Sequence, residues 1–415
     1  MMKKIFFIAV FTIITCLIFS ERQIVNFWYL WTGNDAVIVE NIIKDFNESQ
    51  TTYEVKGLQV PDVQKQIAAI ASNSGPDVTD NFNTNIGSYA SKGILMPLDQ
   101  LMKRDSYGDD FIKEALNTCK YNGKTYGLPI GITTMMLYYN KDLLKEAGYD
   151  RVPLTDKELI EYSLKLTKKD SETGYIKTLG FPDFPFVYYP VNLTFALGGD
   201  FITKDGKTLT PDNPGTRKAL ELIYNFRKTV GIDNIQRFTS SAGGYVTPND
   251  PFIVGDQALR IDGPWLNSLI KEYNPDLNFG IAELPYPEGH KELAGGGELS
   301  SSVMFIPSTS KNKEGAWAFI KYICGKVGMK SFAIANGTTP ARYSLLKDPD
   351  IQKIDGFKEF AERIEKGNLK SFPSFPNQQE YLSQMEQEWE LIINGKESLD
   401  DGLEKLTKKT LKLLK

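Results

Sequence analysis

The chain of 415 residues is poor in the side chains that build metal and acid–base centres: it has one histidine, His290, and three cysteines, Cys16, Cys119 and Cys324. A histidine-based zinc site or a CxxC pair cannot be made from that set. His290 is the only imidazole available as a base, and it sits in the Gly/Pro-rich stretch 285–297. Charge of one sign is lacking too: 48 Lys and Arg face 52 Asp and Glu, a net of −4, which gives a nucleic-acid partner no electrostatic support. There is no P-loop or Arg cluster near the strand ends, which argues against phosphate. Long hydrophobic runs are missing except at residues 5–19, which are too few and too near the N-terminus for a bilayer span. Preceded by Lys3 and Lys4 and followed by small Ser20, that run reads as a removable signal peptide over residues 1–20. The expectation is a soluble protein that is periplasmic or extracellular. Lipid anchoring through Cys16 is the alternative, although its neighbours on both sides fit a lipobox poorly.

Aromatic residues, at 12% with 20 Tyr and 5 Trp, are abundant enough for exposed platforms as well as core. The length calls for two domains. Residues 24–30 (IVNFWYL) form an apolar β-prone run that suits a strand buried on both faces. Val39, Ile42, Ile43 and Phe46 then recur at helical spacing behind an Asn34 or Asp35 cap. A strand at 53–60, a helix at 63–71 and a short strand at 76–79 follow, ending in a polar loop at 80–85. This β–α–β–α–β order predicts an α/β sheet, with ligands at the carboxyl ends of its strands. Asn122-Gly123 and Asp205-Gly206 mark hairpins, residues 157–168 and 217–230 mark helices, and 278–284 marks another strand. Residues 400–415 read as a charged, solvated closing helix.

The segment 254–265 (VGDQALRIDGPW) puts rigid Pro264 and the flat indole of Trp265 just after a short apolar run. An aromatic face at such a turn suits the C–H face of a sugar ring, and equally a place in the core.

These pieces resemble, in collinear order over nearly all of the mature chain, family 1 of the extracellular solute-binding proteins that feed sugar ABC transporters, of which maltose-binding protein is the best-known relative. The motifs are the opening strand ending in Trp31, Phe46-Asn47, GPDV at 75–78, Tyr89-Ala90, GILMPL at 93–98, GKTYGLP at 123–129 and LYYNKD at 137–142. Ala147-Gly148, LGGD at 197–200, residues 255–265, Leu284-Pro285 and TPAR at 339–342 complete them. The resemblance implies an α/β, two-lobed periplasmic-binding-protein fold of type II, with mixed sheets flanked by helices and a strand-crossover hinge. Its first lobe is expected at 21–131 plus 284–325 and its second at 132–283 plus 326–415. The implied ligand is a mono- or oligosaccharide, passed by a monomer to the permease subunits of an ABC transporter, with no cofactor, metal or catalytic residue.

Sugar recognition needs aromatic faces and fixed polar groups. The first lobe offers Tyr29 and Trp31 at the end of the opening strand, and Asp80, Asn81 and Asn83 in the third loop, where an ordinary Asn-rich turn is the other reading. Gly296 and Gly297 let backbone approach a ligand, or make a flexible loop. The second lobe offers Thr133 and Thr134 at the crossover, Tyr188 and Trp265, while Arg342 is either a surface cation or a group turned to the cleft. The third loop departs from maltose-binding protein, which has an aromatic and charged residues where this chain has Asn81, Asn83, Thr84 and Asn85; a maltodextrin is therefore in doubt. The competing readings are a secreted carbohydrate-active enzyme, for which no acid/base pair stands out, and a binder of a non-sugar solute.

Overall fold

The computed structural model describes residues 21–183 and 189–414, so residues 1–20, read above as a signal peptide and holding Cys16, and the candidate Tyr188 lie outside the described residues. The opening strand, Gln23–Tyr29, pairs in parallel with Tyr53–Gln59 on one side and Val78–Phe82 on the other. Val25, Phe27 and Tyr29 point into the core while Ile24 and Trp28 do not, so the continuous apolar run is inward-facing only at alternate residues. Ser300–Phe305, from late in the chain, inserts antiparallel between Val78–Phe82 and Leu128–Thr133 and completes a five-stranded mixed sheet. Because of that pairing the third strand runs on to Phe82, and the expected loop at 80–85 shrinks to the short helical turn Asn83–Asn85.

A second, three-stranded sheet has Met136–Asn140 at its centre, flanked antiparallel by Leu259–Asp262 and Phe279–Ala282. Around it pack helices Asp156–Leu166, Pro214–Val230, Gln378–Ile393 and Leu399–Thr410. Pro214–Val230 starts as its sequence dictates: Asn213 accepts from the Thr216 amide at 2.9 Å, and Pro214 occupies the first turn. Two motifs of the resemblance do similar structural work. Asn140 caps Lys141–Glu146, and buried Asp77 accepts from the amides of Asn26, Lys311 and Asn312. The Asn122-Gly123 turn has both residues at positive φ, as a two-residue hairpin requires.

Among the described residues the chain passes between the two cores three times. Ile132 belongs to the first and Met135 to the second, Leu284 to the second and Leu299 to the first, Leu369 to the first and Phe372 to the second. The expectation that residues 326–415 all join the second core is thereby corrected. Met329, Phe332 and Ala333 of helix Lys326–Asn336 pack on the first core beside helix Gly33–Ser49, and the chain returns to the second core only near Phe372. Helix Phe357–Lys366 serves both sides, with Phe360 against Met136 and Tyr138 and Ala361 and Ile364 in the first core. The closing helix, Leu399–Thr410, is not simply solvated either. It buries Leu403 and Leu406, and its Lys405 and Lys409 pair with buried Glu388 at 2.6 and 2.7 Å. Cys119 and Cys324 are free and buried. Among the described residues, no helix is long and apolar enough to cross a membrane.

Candidate ligand cleft

The carboxyl edge of the first sheet gathers Leu30-Trp31, Asp80–Asn85 and Thr133. Asp80 ties two of its strands together, its Oδ1 accepting from the Leu30 amide at 2.8 Å. Burial pushes its carboxyl up to about 8, against the pull of that amide, so Asp80 holds its proton at neutral pH. Asn81 accepts from Asn85 Nδ2 at 2.6 Å and from the Phe82 amide at 2.8 Å, while its own buried Nδ2 has no partner. Asn83 Oδ1 takes the Ser301 amide at 3.0 Å. Thr133 pairs with Ser300 across the sheet, and the buried Thr134 Oγ1 is without a partner. The edge thus carries two unused polar atoms, Asn81 Nδ2 and Thr134 Oγ1, in a setting where unmet hydrogen bonds are costly.

The second sheet contributes a different arrangement. Arg260 and Asp262, two apart on one strand, share a face and are both fully buried. Arg260 pairs with Asp250 and, at 3.3 Å, with Asp262. Asp262 Oδ1 accepts from the Gly263 amide at 2.8 Å and from the Tyr245 hydroxyl at 2.9 Å. The Trp265 indole N–H in turn donates to that hydroxyl at 2.7 Å, with the indole ring lying over Gly263. Burial raises the Asp262 carboxyl to about 6, with the Arg260 guanidinium opposing. The half-buried indole is therefore held in one orientation by a chain of hydrogen bonds ending on a buried cation.

The other expected residues fall elsewhere. Tyr29 turns from the edge into the first core, its hydroxyl donating to Glu40 at 2.6 Å. Trp31 is half-buried against Phe332, with ring centroids 5.2 Å apart, so its packing lies within the first side. Arg342 is buried in the first core, where it donates to the Cys324 carbonyl at 2.8 Å and covers the Phe111 ring at 4.0 Å; a surface cation it is not. Gly296 and Gly297 make room for a side chain. Buried Arg363 donates to the carbonyls of Gly295, Gly296 and Met135, pinning two of the three crossings together, and a Cβ on Gly297 would run into its guanidinium.

Sequence reading missed Tyr245, Asp262, Arg363 and Glu298. Glu298 lies beyond the sheet edge with its amide on Asn192, and burial lifts its carboxyl to about 7. A signal existed for Asp262: a cation and a carboxylate two apart on an apolar strand predict a buried pair. None existed for Tyr245, which reaches Trp265 from a separate loop.

A family model described as bacterial extracellular solute-binding protein matches residues 31–330. The chain belongs to that family. It is 24% identical over 353 residues to the maltotriose-binding protein of Pyrococcus abyssi, covering 82% of this chain and 72% of that protein. To the galactooligosaccharide-binding protein of Bacillus subtilis it is 27% identical over 401 residues, 90% of this chain and 88% of the relative. Among solved structures, CpMnBP1 with mannotriose bound superposes with a TM-score of 0.81 at 25% identity, covering 94% of this chain and 100% of that one. The sugar-binding protein MalE of Xanthomonas citri gives 0.78 at 25% identity, over 94% and 97% of the two chains. The family consists of binding proteins, and the mixed α/β architecture of this member is that of its structural neighbours.

Proposed function

We propose that this solute-binding protein captures a mono- or oligosaccharide between its two cores, without turnover, and delivers it to the permease of a sugar ABC transporter. The observation that carries the reading is the orientation of Trp265 by Tyr245, Asp262 and Arg260 at the carboxyl end of its strand. An indole fixed in this way is suited to stack on the C–H face of a pyranose. Asn81 and Thr134 supply polar atoms for ring hydroxyls, with Asn83 and Thr133 beside them, and Tyr188 stays a candidate from its sequence position. Trp31 is a rim residue in this reading, while Tyr29, Gly296, Gly297 and Arg342 support the frame. The two units act as lobes, and their closure bends the three crossings around the Arg363 clamp. Export by the N-terminal signal puts the protein, a monomer, outside the cytoplasmic membrane.

A thermal-shift screen over mono- and oligosaccharides tests the binding, because a ligand specific for the folded state raises Tm. Chromatography of the same sugars after prolonged incubation tests the rest. No shift with any sugar contradicts the binding, and new products contradict its passivity.

A further inference from the structure

A cavity of about 510 Å3 opens between helix Trp265–Tyr273 and residues 334–355, within the size range of small-molecule sites. Its walls come from opposite sides of the molecule, and one begins at Pro264, next to Trp265. Pro264 and Ile334, the latter 47% exposed, give it apolar surfaces. Asn267 and Ser268 give it polar ones. Asn267 is only 8% exposed; its Nδ2 donates to the Asp355 carbonyl at 2.9 Å, and its Oδ1 has no partner.

The charges around the cavity are matched. Lys271 meets Asp355 at 3.3 Å and Lys353 meets Asp350 at 3.0 Å, so an anionic or cationic ligand has to compete with a pair already made. A neutral polyhydroxylated ring does not. From the cavity wall at Gly337 the chain itself leads toward the sheet edge. Gly337 and Ser268 face each other across the cavity wall, where a Cβ on Gly337 would lie 3.4 Å from Ser268 Oγ. The next residue, Thr338, has an unpartnered buried Oγ1 that lies near Gly131, and Thr339 accepts from the Ile132 amide at 2.8 Å. From Ile132 the chain leads directly to Thr133 and Thr134.

We propose that this groove seats the next ring of a neutral oligosaccharide whose first ring lies on Trp265, so that the protein takes chains of two or more sugars in preference to monosaccharides. The inference rests on the sugar-binding reading above and narrows it to a chain length. The Asn267 carbonyl accepts a hydroxyl from the second ring, and Pro264 and Ile334 cover its C–H groups.

Titration calorimetry with mannose, mannobiose and mannotriose, and with the corresponding gluco- and galacto-series, tests it. Within the series that binds, affinity is expected to rise at least tenfold from one ring to two or three. Ser268→Leu, at an exposed position beside Gly337, narrows the groove and is expected to abolish that gain while monosaccharide affinity stays within about twofold. Asn267→Leu, checked for an unchanged Tm, is expected to weaken only the longer sugars. A monosaccharide bound as tightly as its oligomers, or a chain-length gain that survives Ser268→Leu, overturns this inference and leaves the sugar-binding reading standing. A wild-type protein that binds none of these sugars overturns both.

Discussion

The two sides of the proposed cleft solve one problem in different ways. On the first side the polar groups sit at the ends of neighbouring strands and are positioned mainly by backbone amides: Leu30 on Asp80, Phe82 on Asn81, Ser301 on Asn83. On the second side a single large side chain, Trp265, is aimed by other side chains, from Tyr245 through Asp262 to Arg260. The first arrangement follows once strand order is set. The second requires several long-range contacts to form together, and it places an ion cluster in the core to obtain one ring orientation. Perturbation should therefore be local on the first side and cooperative on the second.

The largest expected effect tests the ion cluster. Arg260→Met leaves Asp250 and Asp262 buried without their cation, a loss of about 3–5 kcal/mol of stability. Urea denaturation measures it, and a loss under 1 kcal/mol means that the second side is no more cooperative than the first.

The pH dependence of stability comes next, and it separates the two sides. Asp80 is raised to about 8, Glu298 to about 7 and Asp262 to about 6, each by burial. In the unfolded chain all three lose their protons near pH 4. Between pH 4 and 8 the folded state therefore holds more protons, and stability falls as pH rises. Above pH 7 most of the slope belongs to Asp80, with a smaller share from Glu298 that fades toward pH 8, each contributing up to about 1.4 kcal/mol per unit. Asp80→Asn should flatten that part of the Tm-against-pH curve and keep the part below pH 6; a slope unchanged above pH 7 rules out the protonated Asp80.

Trp265→Ala should weaken sugar binding about tenfold or more, at least ~1.4 kcal/mol, with little change in Tm. A large fall in Tm with intact affinity would place the indole in the core instead. The smallest effect is that of Tyr245→Phe. It removes one hydroxyl between Trp265 and Asp262, worth about 1 kcal/mol, and should weaken the same sugar roughly fivefold. If it matches Trp265→Ala, the hydroxyl touches the ligand itself and is more than an aligner of the indole.

How far the chain could be read without coordinates depends on the range of the interactions involved. The hairpin at Asn122-Gly123, the cap at Asn213 and helix Val63–Ala71 are local, and each is legible from its own residues. So are the alternation of strands and helices and the Trp265 motif. The motifs that carry the family resemblance were legible as well, yet Asp77 and Asn140 within them are knots of the frame.

What the sequence determined by itself is the set of elements, their order and a supply of amides and aromatics near strand ends, because periodicity and turn chemistry act over a few residues. Only the tertiary structure decided which of these side chains meet. Tyr29 turns inward because Glu40 and the core lie on its side of the strand; Arg342 is buried because Phe111 and Cys324 surround it. Helix Lys326–Asn336 joins the first core because its apolar face fits helix Gly33–Ser49, a partner nearly three hundred residues earlier in the chain. Arg363 locks two crossings for the same reason: strand pairing brings Met135 and Gly295 together, and no local pattern encodes that distance.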